Sequence, residues 1–225
     1  MTDAEALLQG IVAAPDDDLP RLVYADWLEE QGNPRGEFIR AQCALARITV
    51  DDPRRLLLME RQAELVTEHQ NEWLRPIGSL VDGAKFHRGF VSQVTMSPRT
   101  FVASGELLFR HEPVSEIHFY QRLYLSTADV SALAHCPLLR RLTAIKLNTD
   151  RGIRDEDAEV LANSPHLTSL RSLDLSDNWI TDRGAYFLAE SHYLEGLRLL
   201  HLSGNPIYAM GKRMLQARFR HRVSL

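Results

Sequence analysis

Asp174, His201 and Ser203 are the residue types of an acyl-transfer triad: an orienting acid, an imidazole base and a hydroxyl nucleophile. Such a triad also needs an oxyanion site in a sheltered pocket. The surrounding pattern puts all three on an open strand face whose backbone donors are engaged, so chance adjacency explains them. Among the histidines, His118 and His201 fall two or more strands apart, and His69, His87, His111 and His135 lack ligand spacing. Asp16, Asp17 and Asp18 lack the alternation of a calcium loop and read as capping and solvated residues. Cys43 and Cys136 match no zinc or redox spacing and read as buried thiols. The chain has no phosphate-binding loop, dinucleotide fingerprint or pair of carboxylates on one helix face. The expectation is therefore no catalytic residue, no metal, no cofactor and no small-molecule substrate.

Composition narrows the partners. The 225 residues carry 26 Lys and Arg against 30 Asp and Glu, a net charge of -4. That balance gives no drive toward nucleic acid or an anionic membrane surface. The opening MTDAEALLQGIVAAP has no basic stretch before its apolar residues, and no apolar run nears spanning length. A cytoplasmic protein is the expectation.

The elements that would position side chains come from a repeat. Leu170 to Asn178 reads LRSLDLSDN, with Leu170, Leu173 and Leu175 inward and Asn178 closing a turn. The pattern recurs downstream at Leu197, Leu200, Leu202 and Asn205. It recurs upstream at Leu142, Ile145 and Leu147, with Asp150 at the turn position. Further back lie Val114, Ile117, Phe119 and Arg122, and a weaker copy holds Val91, Val94 and Met96. All these intervals fall in the range of roughly 20 to 29 residues that marks a solenoid, and LxxLxLxxN resembles the leucine-rich repeat. Asn178 and Asn205 are then structural, their amides bonding turn backbone. Apolar helical segments follow each strand, such as Ala158, Leu161 and Ala162, or Ala185, Leu188 and Ala189. The resemblance implies the ribonuclease-inhibitor-like form, with parallel strands on the concave side and helices on the convex side.

Residues 1 to about 75 read as four short helices, the first capped by Thr2 and Glu5, with Pro15 and Gly32 as breaks. Leu56, Leu57, Met59, Leu65 and Val66 would form the apolar face of the fourth. Pro15 to Gln42, PDDDLPRLVYADWLEEQGNPRGEFIRAQ, resembles the short bacterial repeat-companion domain found before leucine-rich and other repeats. Asp17, Pro20, Arg21, Tyr24, Ala25, Asp26, Trp27, Leu28, Gly32, Arg35, Phe38, Ile39 and Gln42 carry the match. KFHRGFVSQVTM, Lys85 to Met96, resembles the segment that follows it, with Gly89 as a turn. The resemblance implies architecture and no assigned activity. Arg21 and Asp26 read as an ion pair or interhelical hydrogen bond, and Trp27 as core.

The sequence thus predicts an α/β leucine-rich-repeat solenoid of four to five repeats over 76–225. An N-terminal helical companion domain over 1–75 would cap it. Strand alternation aligns Thr95, His118, Lys146, Asp174 and His201 in one concave row, with Ser97, Tyr120, Asn148, Ser176 and Ser203 beside it. The expected function is non-enzymatic binding of an unidentified protein, through His118, Tyr120, Lys146, Asp174 and His201. A module docking through its N-terminal helices is one alternative, and an enzyme with an unrecognised site is another.

Overall fold

Proline and glycine set the first boundaries. In the computed structural model, which describes residues 3–15, 17–120, 125–147 and 152–225, α1 (Asp3–Ala13) ends just before Pro15. Helix α2 (Leu19–Glu30) carries Pro20 in its first turn, where no backbone N–H is needed. Gly32 follows at φ +68°, and α3 (Arg35–Arg47) and α4 (Arg55–Leu74) come next. Thr2, Asp16, Arg122, Asn148 and Asp150 lie outside the described residues.

The architecture is α/β, a largely parallel sheet flanked by helices with an N-terminal helical region. The contacts divide it into two compact units. One comprises Met1–Ser79, Ala84–Ser92 and Leu107–Pro113; the other comprises Leu80–Gly83, Gln93–Glu106 and Val114–Leu225. No described helix is long and apolar enough to cross a membrane.

The first unit has two apolar clusters. Ile11, Ala25, Leu28, Ile39, Cys43 and Phe90 form one, and Phe38, Leu65 and Trp73, with Val66 and Phe86, form the other. Phe38 stacks on Trp73 at 4.8 Å between ring centres and meets the edge of Phe86 at 5.4 Å. The aromatic residues of the later segment reach these clusters through a hairpin, β1 (Gly83–His87) and β2 (Phe90–Met96). Its two turn residues, Arg88 and Gly89, both have positive φ, 52° and 86°, the primed geometry that matches strand twist. Gly89 also lies against α3: a Cβ there would be 2.7 Å from Ile39 Cα. Gln42 Oε1 accepts the Gly89 N–H at 2.7 Å.

Charge is neutralised inside this unit. Glu112, 2% exposed, accepts from Arg35 Nη2 at 2.7 Å and from the Val91 N–H at 2.9 Å. The Arg35 guanidinium also covers the Phe90 ring at 4.9 Å. Asp18 departs from the solvated role expected of its triplet. It is buried and pairs with Arg47 at 2.6 Å and Arg88 at 3.4 Å, while Asp17 Oδ1 accepts the Leu19 N–H. Its partners come from the end of α3 and from the hairpin turn, far along the chain, which local pattern does not reveal. Burial, then the nearby Asp18 carboxylate, pushes the Cys43 thiol up to about 11. Cys43 and Cys136 are both free and buried. Leu56, Leu57 and Met59 also depart from the sequence reading: they are 67%, 69% and 44% exposed. Leu57 lies on the same helical stripe as buried Leu65, but nothing described covers that part of α4.

In the second unit β2 pairs with β3 (Glu116–Phe119), then β4 (Ala144–Leu147), β5 (Ser172–Asp174), β6 (Leu199–His201) and β7 (Val223–Ser224), all parallel. Val94, Ile117, Ile145, Leu173 and Leu200 are register partners and all buried. Helices α5 (Pro98–His111), α6 (Thr127–Ala134), α7 (Asp155–Ala162), α8 (Asp182–Glu190) and α9 (Ala209–Phe219) alternate with the strands. The alanines of α7 and α8 are buried beside their leucines.

Gly89→Ala should lower stability by about 2–4 kcal/mol, combining the left-handed penalty with overlap on Ile39. The urea midpoint measures it, and a change below about 0.5 kcal/mol, ordinary for surface sites, would refute the close approach.

Candidate functional site

The strand face is presented by turns whose backbone would otherwise be unpaired. Asn178, 4% exposed, donates to the carbonyls of Leu147 at 2.8 Å, Leu175 at 3.0 Å and Ser176 at 3.1 Å. Its Oδ1 accepts the Ile153 N–H at 3.1 Å. Asn205 repeats this one turn on, donating to Leu175 O and Leu202 O and accepting from Ile180 N–H at 2.9 Å. A carboxamide suits the place because it both donates and accepts.

Two further ladders were missed in the sequence. Asp155 Oδ1 accepts the N–H groups of Thr181 and Gly184 at 2.8 and 3.0 Å, and its Oδ2 accepts the Thr181 hydroxyl. It thereby satisfies first-turn donors of α8. Asp182 does the same for the Tyr208 N–H before α9, at 2.7 Å. Ser164 Oγ donates to Ala134 O, and Ser191 Oγ to Ala162 O, both at 2.5 Å. The signal was present: Asp155 and Asp182, like Ser164 and Ser191, stand one repeat apart, as do Ile153, Ile180 and Ile207.

On this frame the register joins Thr95 to His118, His118 to Lys146, Lys146 to Asp174, and Asp174 to His201. His201 continues to Ser224. Lys146 Nζ lies 3.2 Å from Asp174 Oδ2. Asp174 Oδ1 accepts the Ser176 hydroxyl at 2.5 Å and its N–H at 2.9 Å. Burial alone would raise the Asp174 carboxyl, but Ser176 and then Lys146 outweigh it and hold the group below its ordinary value. His118 Nδ1 accepts from the Gln93 amide at 3.4 Å, and Nε2–H donates to Glu116 at 2.7 Å. Tyr120 follows β3, 48% exposed, its N–H bonded to Met96 O at 3.0 Å. His118, Lys146 and Asp174 are thus locally paired, with small net charge. Asp174 spends both oxygens on Ser176 and Lys146, an arrangement suited to orienting side chains.

The other singled-out residues lie in the first unit. Arg21 is buried, donates to Asp17 O at 2.9 Å and has its guanidinium 5.8 Å from the Phe90 ring centre. The Asp26 carboxylate is 60% exposed and pairs with Arg40 of α3, which also bonds Glu29 at 3.0 Å. That pair is solvent-screened, so the cost of breaking a buried pair does not apply to it. Trp27 stacks on Tyr24 at 5.8 Å, partly buried against the α1–α3 cluster. Trp179, beside Asn178, is 49% exposed.

Among the described residues no group of three or more His, Cys, Asp or Glu could hold a metal ion. A cleft of about 260 Å³ in the first unit is lined by Gln42, Arg55, Gln62, His87 and Arg88 with Leu45, Ala46 and Met59. Its wall offers no carboxylate to pair with a base. A family model described as Leucine Rich repeat matches residues 166–189, spanning β5 and most of α8. No curated protein matches the chain by sequence.

Asn178→Ala leaves the Ile153 N–H and Leu147 carbonyl without their partner and should destabilise by about 1–3 kcal/mol. Denaturant unfolding reads this as a lower midpoint; an unchanged midpoint would show that the ladder adds no stability.

Proposed function

We propose that residues 76–225 are a leucine-rich-repeat solenoid of the ribonuclease-inhibitor-like kind, and that the chain is a non-enzymatic scaffold binding a protein through its concave strand face. Folds of the leucine-rich-repeat type are generally associated with protein–protein interaction through that face. Residues 1–75 are read as a repeat-companion domain. The observation that carries the reading is the continuous register row ending at His201, held on backbone that Asn178, Asn205, Asp155 and Asp182 pin. Side chains on such a frame bind with little ordering cost. His118, Tyr120, Lys146, Asp174 and His201 are the proposed contacts. Tyr120 is the anchor, since exposed tyrosine is enriched among residues whose truncation weakens interfaces. The Lys146–Asp174 pair partly cancels, so charge contributes less.

One observation favours a second reading, docking through the N-terminal helices. Val50, Leu56, Leu57 and Met59 are exposed by 80%, 67%, 69% and 44%. Such a patch is apolar surface without a described cover.

Co-purification with mass spectrometry identifies the partner, and calorimetry then separates the readings. Tyr120→Ala should weaken binding by at least about 1 kcal/mol more than Lys146→Ala, with the fold intact. Full affinity after replacing Tyr120, Lys146 and Asp174 together would eliminate the strand face. Loss of affinity in Leu56→Ser/Leu57→Ser alone would install the helical patch instead.

A further inference from the structure

In the cleft of about 260 Å³ in the first unit, unused hydrogen-bond donors meet apolar surface. Its walls come from three separate stretches of chain. Gln42, Leu45 and Ala46 stand at i, i+3 and i+4 on α3, and Arg55, Met59 and Gln62 at i, i+4 and i+7 on α4, so each set shares one helical face. His87, at the end of β1, and Arg88, in the hairpin turn, complete the lining. Motifs read along the chain do not show such a grouping, which is why the sequence predicted no small ligand.

The donors are oriented from the backbone outward. Gln42 Oε1 accepts the Gly89 N–H at 2.7 Å, which fixes the two ends of that carboxamide. Its Nε2 donates to Gln62 Oε1 at 3.1 Å. Gln62 is oriented in turn: its oxygen is taken, and its Nε2, which carries two hydrogens, has no partner among the described residues. Arg55 is partly buried, and its guanidinium has neither a hydrogen bond nor an ion pair among the described residues. The nearest acid along the chain is already engaged, because Asp52 holds Arg54 through both oxygens, at 3.0 and 2.8 Å. The lining contains no carboxylate, and Arg88 pairs with Asp18 at 3.4 Å. One guanidinium and one carboxamide thus carry spare donors into a cleft that also holds Leu45, Ala46 and Met59.

We propose that this cleft binds a small organic monocarboxylate. The Arg55 fork takes the two carboxylate oxygens, Gln62 Nε2 adds a further donor, and the hydrocarbon part lies against Leu45, Ala46 and Met59. Arg55 supplies one charge, which matches a carboxylate better than the roughly two charges of a phosphate monoester. A few placed polar groups on an apolar wall are the usual make-up of a small-molecule site, and sites for drug-sized ligands run to about 300–1,000 Å³. The volume here falls just below that range, so the acid is short. It equals about nine waters' share of liquid, room for the roughly eight heavy atoms of hexanoate. No strand-face residue is used, and the proposal rests on neither reading of the protein partner.

The full chain is titrated with hexanoate, hexanamide, acetate and inorganic phosphate, and followed by NMR of arginine Nε–H, glutamine side-chain and methionine methyl signals. Hexanoate should shift the Arg55, Gln62 and Met59 signals and saturate with a Kd of about 1 mM, as expected for so small a ligand. Hexanamide keeps the chain without the charge and should not saturate. Acetate keeps the charge without the chain and should bind at least about tenfold more weakly. Arg55→Gln should weaken hexanoate about tenfold, the low end for a hydrogen bond to a charged group. It should melt like the parent, since the side chain bonds nothing among the described residues. Leu56→Ser/Leu57→Ser leaves the cleft lining intact and should still bind hexanoate, so this site and docking through the helical patch fail separately. No saturation by roughly 20 mM hexanoate would overturn the proposal. So would equal binding of hexanamide or acetate, undiminished binding by Arg55→Gln, or tighter binding of phosphate than of hexanoate.

Discussion

Buried backbone must find partners, and the second unit meets that constraint by lending side chains from one repeat to the next. Asn178 closes the turn of the preceding repeat through Leu147 O and Ile153 N–H. In the other direction Asp155 satisfies first-turn donors of the following helix, through Thr181 and Gly184. The junctions that carry Asn178 and Asn205 are therefore stitched both ways. Neither repeat can leave without stranding polar groups in its neighbour, each worth about 1–3 kcal/mol when orphaned. That nearest-neighbour dependence is what makes a linear array behave cooperatively. It also explains why side chains on the strand face can be presented by strands only three or four residues long.

The first unit solves a different problem, a set of short helices with narrow apolar faces. Its solution is to bring the hairpin turn against α3, with Gly89 allowing backbone contact with Ile39. Phe86 and Phe90 then enter the two helical clusters. Glu112 binds both Arg35 and the hairpin strand, so one buried carboxylate joins α3, β2 and the residue after α5. An uncompensated charge there would cost several kcal/mol.

Much of this was legible in the chain. The regular recurrence of leucines marks the strands and their register, because a period-two strand flanked by constant spacing admits one alignment that keeps every leucine inside. Gly89 as a turn also follows from pattern. The ladder aspartates and serines were written at the same period but carry no hydrophobic signal, so they passed unnoticed. Asp18 and Leu57 were misread for a shared reason. Burial of a charge depends on partners far along the chain, and exposure of an apolar residue depends on what fails to cover it. Neither is a local property. For the candidate site, sequence located the row, whereas the pairing of His118 with Glu116 and of Asp174 with Ser176 needed side-chain positions.

Chain length is not free to vary evenly. The buried anchors Leu125, Ile153 and Ile180 each precede the next buried strand centre, Ile145, Leu173 and Leu200, by the same interval. Helix and return leg thus keep a constant length in three successive repeats. The outward leg differs. The steps from Ile117 to Leu125 and from Ile145 to Ile153 are longer, by a single position, than those from Leu173 to Ile180 and from Leu200 to Ile207. The shorter versions are those closed by Asn178 and Asn205. An inserted residue in the helical leg would offset the Ser164 and Ser191 bonds to the neighbouring repeat. An inserted residue in the outward leg displaces only the asparagine. Indels inherited by this architecture should therefore collect in the strand-to-helix turns, with loss of the asparagine as their companion change.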